Sequence, residues 1–191
     1  MKKRYNKILL TAIATIFAFV SVTYVSCIKV DDKPYSCDYH ACLNGGICYK
    51  GTCNCPAGYD SVYCNTMWID KYPGKWAVSE VIKGSSHPWR VGMDSAFAIV
   101  VRKGGTNTSL LIDSFMNNWY YHDIPVQITT STTIMFSPYF CPYNTTPAFS
   151  ISGGDGVMDA SYKTIQGTYY RRIQDSVSTA NDTVDYTMTK L

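Results

Sequence analysis

The sequence is poor in charged residues, and the charges it has are balanced. Charged side chains make up 16% of the 191 residues, whereas soluble proteins average about 25%. Four positive charges stand together at the N-terminus, at Lys2, Lys3, Arg4 and Lys7, and without them the formal net charge falls from +3 to −1. From Met67 onward the chain has ten Lys and Arg and ten Asp and Glu, so the two signs of charge balance. A basic surface is therefore excluded, and we expect no nucleic-acid partner.

The chain also lacks the residue patterns of common catalytic and metal sites. Its three histidines, His40, His87 and His122, lie far apart in sequence and at no metal-ligand spacing. Neither G-x-S-x-G nor H-E-x-x-H occurs, and no histidine stands near Cys141. Nucleophile, base and orienting group are not found together, so we expect no enzyme, no catalytic residue and no cofactor.

Long helical patterns are missing as well. From Met67 onward no stretch keeps a helical period of apolar residues over twelve positions. Short runs rich in β-branched and aromatic residues alternate instead with turn signals such as Gly104-Gly105 and Gly153-Gly154. Strands are predicted at 75–82, 94–102, 109–115, 126–130, 133–139, 156–162, 165–173 and 183–189. This count predicts an all-β domain at 67–191, an antiparallel barrel or sandwich of about eight strands.

Residues 1–26 have the pattern of a secretory signal peptide. The four positive charges lead into an apolar run of 18 residues, 8–25, which corresponds to the hydrophobic region of such a signal. That length is also the lower limit for a membrane-spanning helix, so a retained N-terminal anchor is the alternative. Under either interpretation the positive-inside rule places the rest of the chain outside the cytoplasm.

The sequence T-Y-V-S-C at 23–27 resembles a bacterial lipobox, in which small residues before a cysteine allow cleavage and the thiol receives a lipid. Tyr24 departs from that pattern, which usually has Leu or another aliphatic residue there. The resemblance implies a lipoprotein with acyl chains on Cys27, a tether at 27–36 and a place in the cell envelope, at the outer membrane or cell surface. The acidic pair at 31–32 is similar to the surface-export tags of some Gram-negative lipoproteins.

Six of the eight cysteines lie within 28 residues and are spaced C-x4-C-x5-C-x4-C-x-C-x8-C, at Cys37, Cys42, Cys48, Cys53, Cys55 and Cys64. Clustering of this kind after an export signal is typical of a disulfide framework. A segment this short cannot bury an adequate core, so cross-links must stabilise it. Each bridge over such a loop contributes about 2–3 kcal/mol. Spacing alone leaves fifteen connectivities open.

Two motifs in this cluster carry a closer resemblance. The segment C-L-N-G-G-I-C at 42–48, and C-N-C-P-A-G-Y at 53–59 followed by Cys64, match the motifs of EGF-like domains. The resemblance covers residues 31–66 and implies an EGF-like module at 37–66, with bridges Cys37–Cys48, Cys42–Cys53 and Cys55–Cys64. The acidic residues of calcium-binding members are missing. Cysteine zinc sites normally belong to a reducing compartment and use C-x2-4-C pairs, whereas Cys53 and Cys55 form a C-x-C pair after an export signal, so we expect no metal.

The second domain begins with a weaker resemblance. Gly74-Lys75-Trp76 resembles the G-x-W opening of lipocalin-like barrels, in which the Trp plugs one end. The resemblance implies that Arg171 or Arg172, from a late strand, packs on Trp76 through a cation–π contact. The alternative is an ordinary sandwich with a buried Trp.

The densest aromatic cluster in this domain provides the candidate ligand-binding residues Trp119, Tyr120 and Tyr121. Exposed rings at these positions would stack on sugars or on an apolar partner, whereas buried rings would belong to the core. Cys141 stands apart from the other cysteines. It is either a buried thiol or the partner of an unlipidated Cys27.

These observations favour a membrane-anchored extracytoplasmic binding or adhesion protein. The EGF-like module would be a spacer or contact face, and the β-domain would recognise an unknown protein, glycan or small apolar ligand. The alternative function is a lipocalin-like carrier of a small apolar ligand. A carrier requires a hollow apolar barrel, and a filled core would exclude it.

Overall fold

The structure, a computed structural model, describes residues 41–141 and 148–191. The apolar segment 8–25, Cys27, the tether at 27–36 and Cys37 lie outside the described residues. The described residues belong to one compact unit, which spans residues 37 to 191. They form strands and three short 3-10 helices but no α-helix. Within the same stretches, no helix is long and apolar enough to cross a membrane.

The disulfide-rich part contains two small antiparallel sheets, made of β1 (Ile47–Tyr49) with β2 (Thr52–Asn54), and of β3 (Tyr59–Asp60) with β4 (Thr66–Met67). Lys50 and Gly51 join β1 to β2 with φ of 49° and 77°. Positive φ at both central residues defines the type I′ turn, whose twist suits a two-residue hairpin. A 3-10 helix, Trp68–Lys71, connects β4 to the next domain.

The second domain is a closed antiparallel barrel, formed by β5 (Gly74–Ser85), β6 (Asp94–Lys103), β7 (Ser109–Asp113), β8 (Ile124–Ile128), β9 (Thr133–Phe136), β11 (Ala148–Met158), β12 (Thr164–Gln174) and β13 (Thr179–Lys190). A short strand between β9 and β11, β10 (Tyr139–Phe140), pairs with the first half of β11. Pairing of β9 with the second half of β11 closes the sheet. All eight predicted strands overlap strands of the barrel, so the prediction of an eight-stranded all-β domain is confirmed.

Alternation along each long strand divides inward from outward side chains. In β13 every second residue from Ala180 to Met188 is buried, and the residues between them are more exposed. This alternation follows from the two-residue period of a strand with one face on the core. Inward aromatic rings, among them Trp76, Phe149 and Tyr169, fill the barrel.

The barrel interior has almost no free space. A cavity between Tyr72, Trp76 and surrounding aliphatic side chains has a volume of about 10 Å³, which is about the space needed by one water molecule. Pockets for small ligands usually measure about 300–1,000 Å³. The filled core speaks against the carrier hypothesis, which predicts a hollow interior.

Strand connections alternate between two ends of the barrel. We call the end with loops 104–108, 129–132 and 159–163 the proximal end, and the end with loops 86–93, 114–123 and 175–178, together with β10, the distal end. The disulfide-rich part packs on the proximal end. Gly58 packs directly against Asn107: a Cβ atom added to Gly58 would lie 2.7 Å from the side-chain amide nitrogen of Asn107. The Lys71 ammonium lies 4.7 Å from the centre of the Tyr162 ring.

Trp76 plugs the proximal end but meets a different cation from the one predicted. Its indole is fully buried and donates a hydrogen bond of 2.8 Å to the Tyr72 carbonyl. Lys190 is opposite Trp76 in the β5–β13 ladder, and its ammonium lies 5.5 Å from the ring centre. The prediction of Arg171 or Arg172 at this position is therefore wrong. The register explains this, because Arg171 pairs with Asp182, which lies opposite Ser85 at the other end of β5.

Candidate functional site

Exposed apolar side chains mark each distal loop that the structure describes. Trp89 in loop 86–93 is 68% exposed, Trp119 in loop 114–123 is 71% exposed, Phe140 in β10 is 72% exposed and Val177 in loop 175–178 is 93% exposed. Of the three proximal loops, 104–108 and 129–132 contain only Gly, Ser, Thr and Asn, and 159–163 exposes Tyr162 at 42%. Large exposed apolar groups gathered in one region mark interaction surfaces. The disulfide-rich part also exposes Ile47, Tyr49 and Val62, but within the barrel such side chains mark each distal loop, and the distal end is taken as the candidate site.

Loop 114–123 presents two of the predicted ligand-binding rings. Trp119 and Tyr120 stack on each other with ring centres 3.9 Å apart, and Trp119 is the more exposed of the two. Tyr121 is a core residue instead, buried and stacked on Phe149 with centres 4.5 Å apart. A ligand therefore has access to Trp119 and Tyr120 but not to Tyr121.

The same loop is held in an unusual backbone conformation. Ser114, Met116 and Asn117 have φ of 60°, 54° and 54°, a left-handed region that costs free energy for residues other than glycine. Phe115 anchors the loop in the core, where its ring centre lies 5.2 Å from that of Phe97. Strained backbone of this kind persists only where the surroundings fix it, and it is common at binding sites.

Loop 86–93 is fixed to the barrel by Arg90, in the 3-10 helix Pro88–Arg90. Its guanidinium donates hydrogen bonds of 3.2 and 2.7 Å to the two carboxylate oxygens of Asp182. Arg90 also lies 5.6 Å from the centre of the Trp89 ring. A bidentate arginine pair fixes geometry as well as charge. Trp89 is thus presented to solvent from an anchored turn.

A buried network of charged groups lies in the distal half of the barrel. Arg171 donates hydrogen bonds to Glu80 at 2.6 Å, to Asp182 at 3.2 Å and to the Tyr169 hydroxyl at 3.1 Å. The Tyr169 hydroxyl in turn donates to Glu80 at 2.5 Å. Glu80, Arg171 and Asp182 are all buried. Sequence reasoning missed this network, although the inward position of Asp182 in the alternation of β13 was a usable signal.

Electrostatics in this network follow from burial and pairing. Burial alone would raise the pKa of Asp182. Hydrogen bonds from Arg90, Ser85 and Arg171 have the larger combined effect and hold the pKa of this carboxyl below its usual range. Burial raises the pKa of Tyr169 well above its usual value. Two arginines face two carboxylates, so the buried charges compensate one another.

A shallow cleft of about 100 Å³ lies on the outer face of the distal end, lined by Phe140, Ala148, Phe149, Ser150, Arg172 and Gln174. The guanidinium of Arg172 donates a 3.2 Å hydrogen bond to the side-chain oxygen of Gln174. The cleft thus combines an exposed aromatic ring, a cation and neutral hydrogen-bonding groups. Of these residues the sequence pointed only to Arg172, and to it as a partner of Trp76; the cleft forms only through the pairing of β10, β11 and β12.

Asp113, His122 and Asp123 form a group whose potential ligand atoms lie within 4.8 Å of one another. Arg102 already forms ion pairs with both carboxylates, at 2.6 Å from Asp113 and in close contact with Asp123. Burial works to raise the pKa of Asp113, but the hydrogen bond from Arg102 and further interactions hold it below its usual range. The guanidinium supplies the charge that a metal ion would bring, and this group is an ion-pair cluster.

Disulfide bonds join Cys42 to Cys53 and Cys55 to Cys64. These are two of the three pairs that the EGF-like resemblance implies. Cys48 is also disulfide-bonded, and Cys37, its implied partner, lies outside the described residues.

The N-G-G motif at residues 44–46 is explained by close packing against Cys64. Asn44 has a φ of 51°, and its side-chain amide donates a 2.8 Å hydrogen bond to the Cys64 carbonyl. A Cβ atom at Gly46 would lie 2.7 Å from the Cys64 sulfur, so only glycine fits there. The motif therefore packs the first loop of the module against its last bridge.

No family model matches the chain, and no curated protein matches it either. The fold and site alone define the class, a disulfide-rich module packed on a closed eight-stranded antiparallel barrel that has apolar distal loops.

Proposed function

We propose that this protein is an extracytoplasmic binding protein, held in the cell envelope by its N-terminal segment, that recognises its partner with the distal end of the barrel. One observation carries the proposal: each described distal loop exposes a large apolar side chain, whereas two of the three proximal loops, 104–108 and 129–132, have only small and polar residues. Aromatic anchors such as Trp and Tyr supply much of the free energy of binding at interfaces. The filled barrel interior leaves the outer surface as the place for recognition.

The disulfide-rich part is assigned to the EGF-like class within the same proposal. Its two described bridges and the close contact of Gly46 with Cys64 support that assignment. The module packs on the proximal end and follows directly on the N-terminal segment. With acyl chains on Cys27, it would stand as a spacer between the membrane and the barrel, leaving the distal loops accessible to a partner.

The proposed function is tested by removing exposed apolar side chains from the distal end and measuring partner binding. Full-length protein, purified in detergent, is titrated onto an array of bacterial glycans, host glycans and extracellular-matrix proteins. We expect saturable binding to at least one partner, weakened at least tenfold in the double variant Trp119→Ser/Tyr120→Ser. The matched control removes two exposed apolar side chains from the barrel wall, Met135→Ser/Val157→Ser, and should bind like the wild type.

Two results would refute the proposal. In the first, the distal double variant and the wild type bind the same partner equally well. In the second, the wall variant loses as much affinity as the distal variant, which would indicate a non-specific apolar effect. Circular dichroism of each variant confirms that the barrel is intact before binding is compared.

A further inference from the structure

We propose that the cleft between Phe140 and Arg172 binds a carboxylated sugar residue of a glycan, a uronic acid. The inference rests on the proposed function, because it names the class of partner that the distal end recognises. It depends on a different set of residues from the loops that carry Trp89 and Trp119, and the two can be tested separately.

The register of three strands brings the cleft residues together. Phe140 pairs with Ser150 in β11, and Ser150 pairs with Arg172 in β12. Phe149 and Arg171 are buried on the inward face, so Ser150 and Arg172, one position further along, point outward. Gln174 follows Arg172 on the same face after one more period. An aromatic ring, a hydroxyl, a guanidinium and an amide therefore line up across one surface.

Arg172 differs from the other arginines of the described ranges. Arg90, Arg102 and Arg171 each form an ion pair with a carboxylate. Within residues 41–141 and 148–191, Arg172 forms none, and its recorded hydrogen bond goes to Gln174. A guanidinium presents a planar fork of donors that matches the two oxygens of a carboxylate. Arg172 is thus placed to accept an anionic group from outside the chain.

Phe140 supplies the opposite wall of the cleft. Its ring is 72% exposed, and its face carries the negative end of the ring quadrupole. The C–H groups on one face of a pyranose ring are weakly positive and apolar, and they stack on such a surface. Because the Phe140 ring is exposed, it does not contribute to the barrel core. It offers the apolar surface that a sugar ring needs.

The neutral groups and the size of the cleft define the rest of the ligand. Ser150 offers a hydroxyl that can donate and accept, and the Gln174 amide offers the same pair of functions. Sugar hydroxyls are suitable partners for both groups. The volume of about 100 Å³ is below the usual range for a whole small ligand, so the cleft would hold part of a single sugar residue. Carboxylate, apolar ring face and hydroxyls occur together in a uronic acid.

A matched pair of sugars tests the proposal. Full-length protein is titrated with sodium glucuronate and with glucose at constant ionic strength, and binding is followed by saturation-transfer NMR. We expect a dissociation constant for glucuronate on the order of 1 mM, as is usual for so small a ligand, and binding of glucose at least tenfold weaker. Saturation should transfer most strongly to the ring hydrogens of glucuronate, because they lie on Phe140.

Variants separate the two walls of the cleft. Arg172→Gln should weaken glucuronate binding at least tenfold and abolish the preference over glucose, whereas Arg172→Lys should keep part of it. Phe140→Ser should weaken the binding of both glucuronate and glucose. The control Lys163→Gln removes one positive charge at the proximal end and should bind like the wild type. All three substituted positions are solvent-exposed, and circular dichroism checks that each of the four variants is folded.

Three outcomes would overturn the inference: equal binding of glucose and glucuronate, unchanged glucuronate binding in Arg172→Gln, or equally strong competition by acetate or inorganic phosphate, which would indicate an unspecific anion site. The variant Trp119→Ser/Tyr120→Ser should retain glucuronate binding. If the glucuronate tests fail but Trp119→Ser/Tyr120→Ser still loses binding to the partner found on the array, the uronic-acid site is refuted. The proposed function then stands.

Discussion

Arg171 and Glu80 meet inside the barrel, with the guanidinium nitrogen Nη1 2.6 Å from the carboxylate oxygen Oε1. Both side chains are almost completely buried, and the Tyr169 hydroxyl joins them on a third side. A buried pair of this kind repays the cost of desolvation only where the geometry is good and the remaining donors are satisfied. The contact fixes the relative position of β5 and β12, strands that are not neighbours in the sheet.

Removing the guanidinium should therefore be costly. We expect Arg171→Met to lower the free energy of unfolding by about 3–5 kcal/mol, because Glu80 is left as an uncompensated buried charge. Adding Glu80→Gln in the same chain should recover part of the loss. The measurement is urea unfolding followed by tryptophan fluorescence. Arg172→Met, on the outer face, is the matched control and should change stability by less than about 0.5 kcal/mol. A loss below about 1 kcal/mol in Arg171→Met would show that the pair is not important for stability.

Stability should fall in acid because of Asp182. The fold holds the pKa of its carboxyl below the usual range, so the charged form is the one that the folded state favours. This contribution is fully present above the unfolded pKa of about 3.9 and is lost as the pH falls through the lower, folded value. We expect the free energy of unfolding to fall below about pH 4 in the wild type, and to fall less steeply in Asp182→Asn. Parallel curves for the two proteins between pH 2 and 6 would contradict this assignment.

Tyr72 and Tyr169 should respond in opposite ways to the loss of a hydroxyl. The Tyr72 hydroxyl is buried and has no hydrogen-bond partner within the described residues, and burial raises its pKa to about 12. We expect Tyr72→Phe to be neutral or to stabilise the protein by up to about 1 kcal/mol, because an unsatisfied buried polar group is removed. Tyr169→Phe removes a bonded hydroxyl and should destabilise by about 1–3 kcal/mol. Equal destabilisation by both variants would mean that the Tyr72 hydroxyl has a partner in solution.

The proposed lipid anchor is tested by chemistry at Cys27. Cells that export the protein are grown with an alkyne-bearing fatty acid, and the protein is recovered and examined for label. We expect label on the wild type and none on Cys27→Ser. Cys141→Ser, a cysteine change elsewhere in the chain, should keep the label. An unlabelled wild type, or label that persists in Cys27→Ser, would rule out lipidation at this cysteine.

Much of the fold could be predicted from local patterns. Short runs of β-branched and aromatic residues between turn signals located all eight barrel strands, and β11 is the strand where such signals mislead. Its predicted start is 156 instead of Ala148, because Gly153-Gly154 has the composition of a turn, whereas both glycines lie inside the strand. The glycine at 156 is required because a Cβ atom there would lie 2.1 Å from the Tyr186 hydroxyl, a long-range contact that local sequence does not reveal.

The candidate site could be predicted only in part, because it depends on which strands become neighbours. Trp119 and Tyr120 were found from composition, but the same composition included the buried Tyr121. The cleft at Phe140 and Arg172 joins residues 32 positions apart through the register of β10, β11 and β12. No periodic pattern in the sequence specifies that register.

Hydroxyl-radical footprinting of the full-length protein, with and without a saturating amount of the partner found on the array, is the most direct test of the distal end as the binding surface. We expect oxidation of Trp89, Trp119 and Phe140 to fall on binding, while oxidation of Met135 and Val157 on the barrel wall stays the same. Protection confined to the barrel wall or to the disulfide-rich module, with the distal rings oxidised as before, would contradict the account.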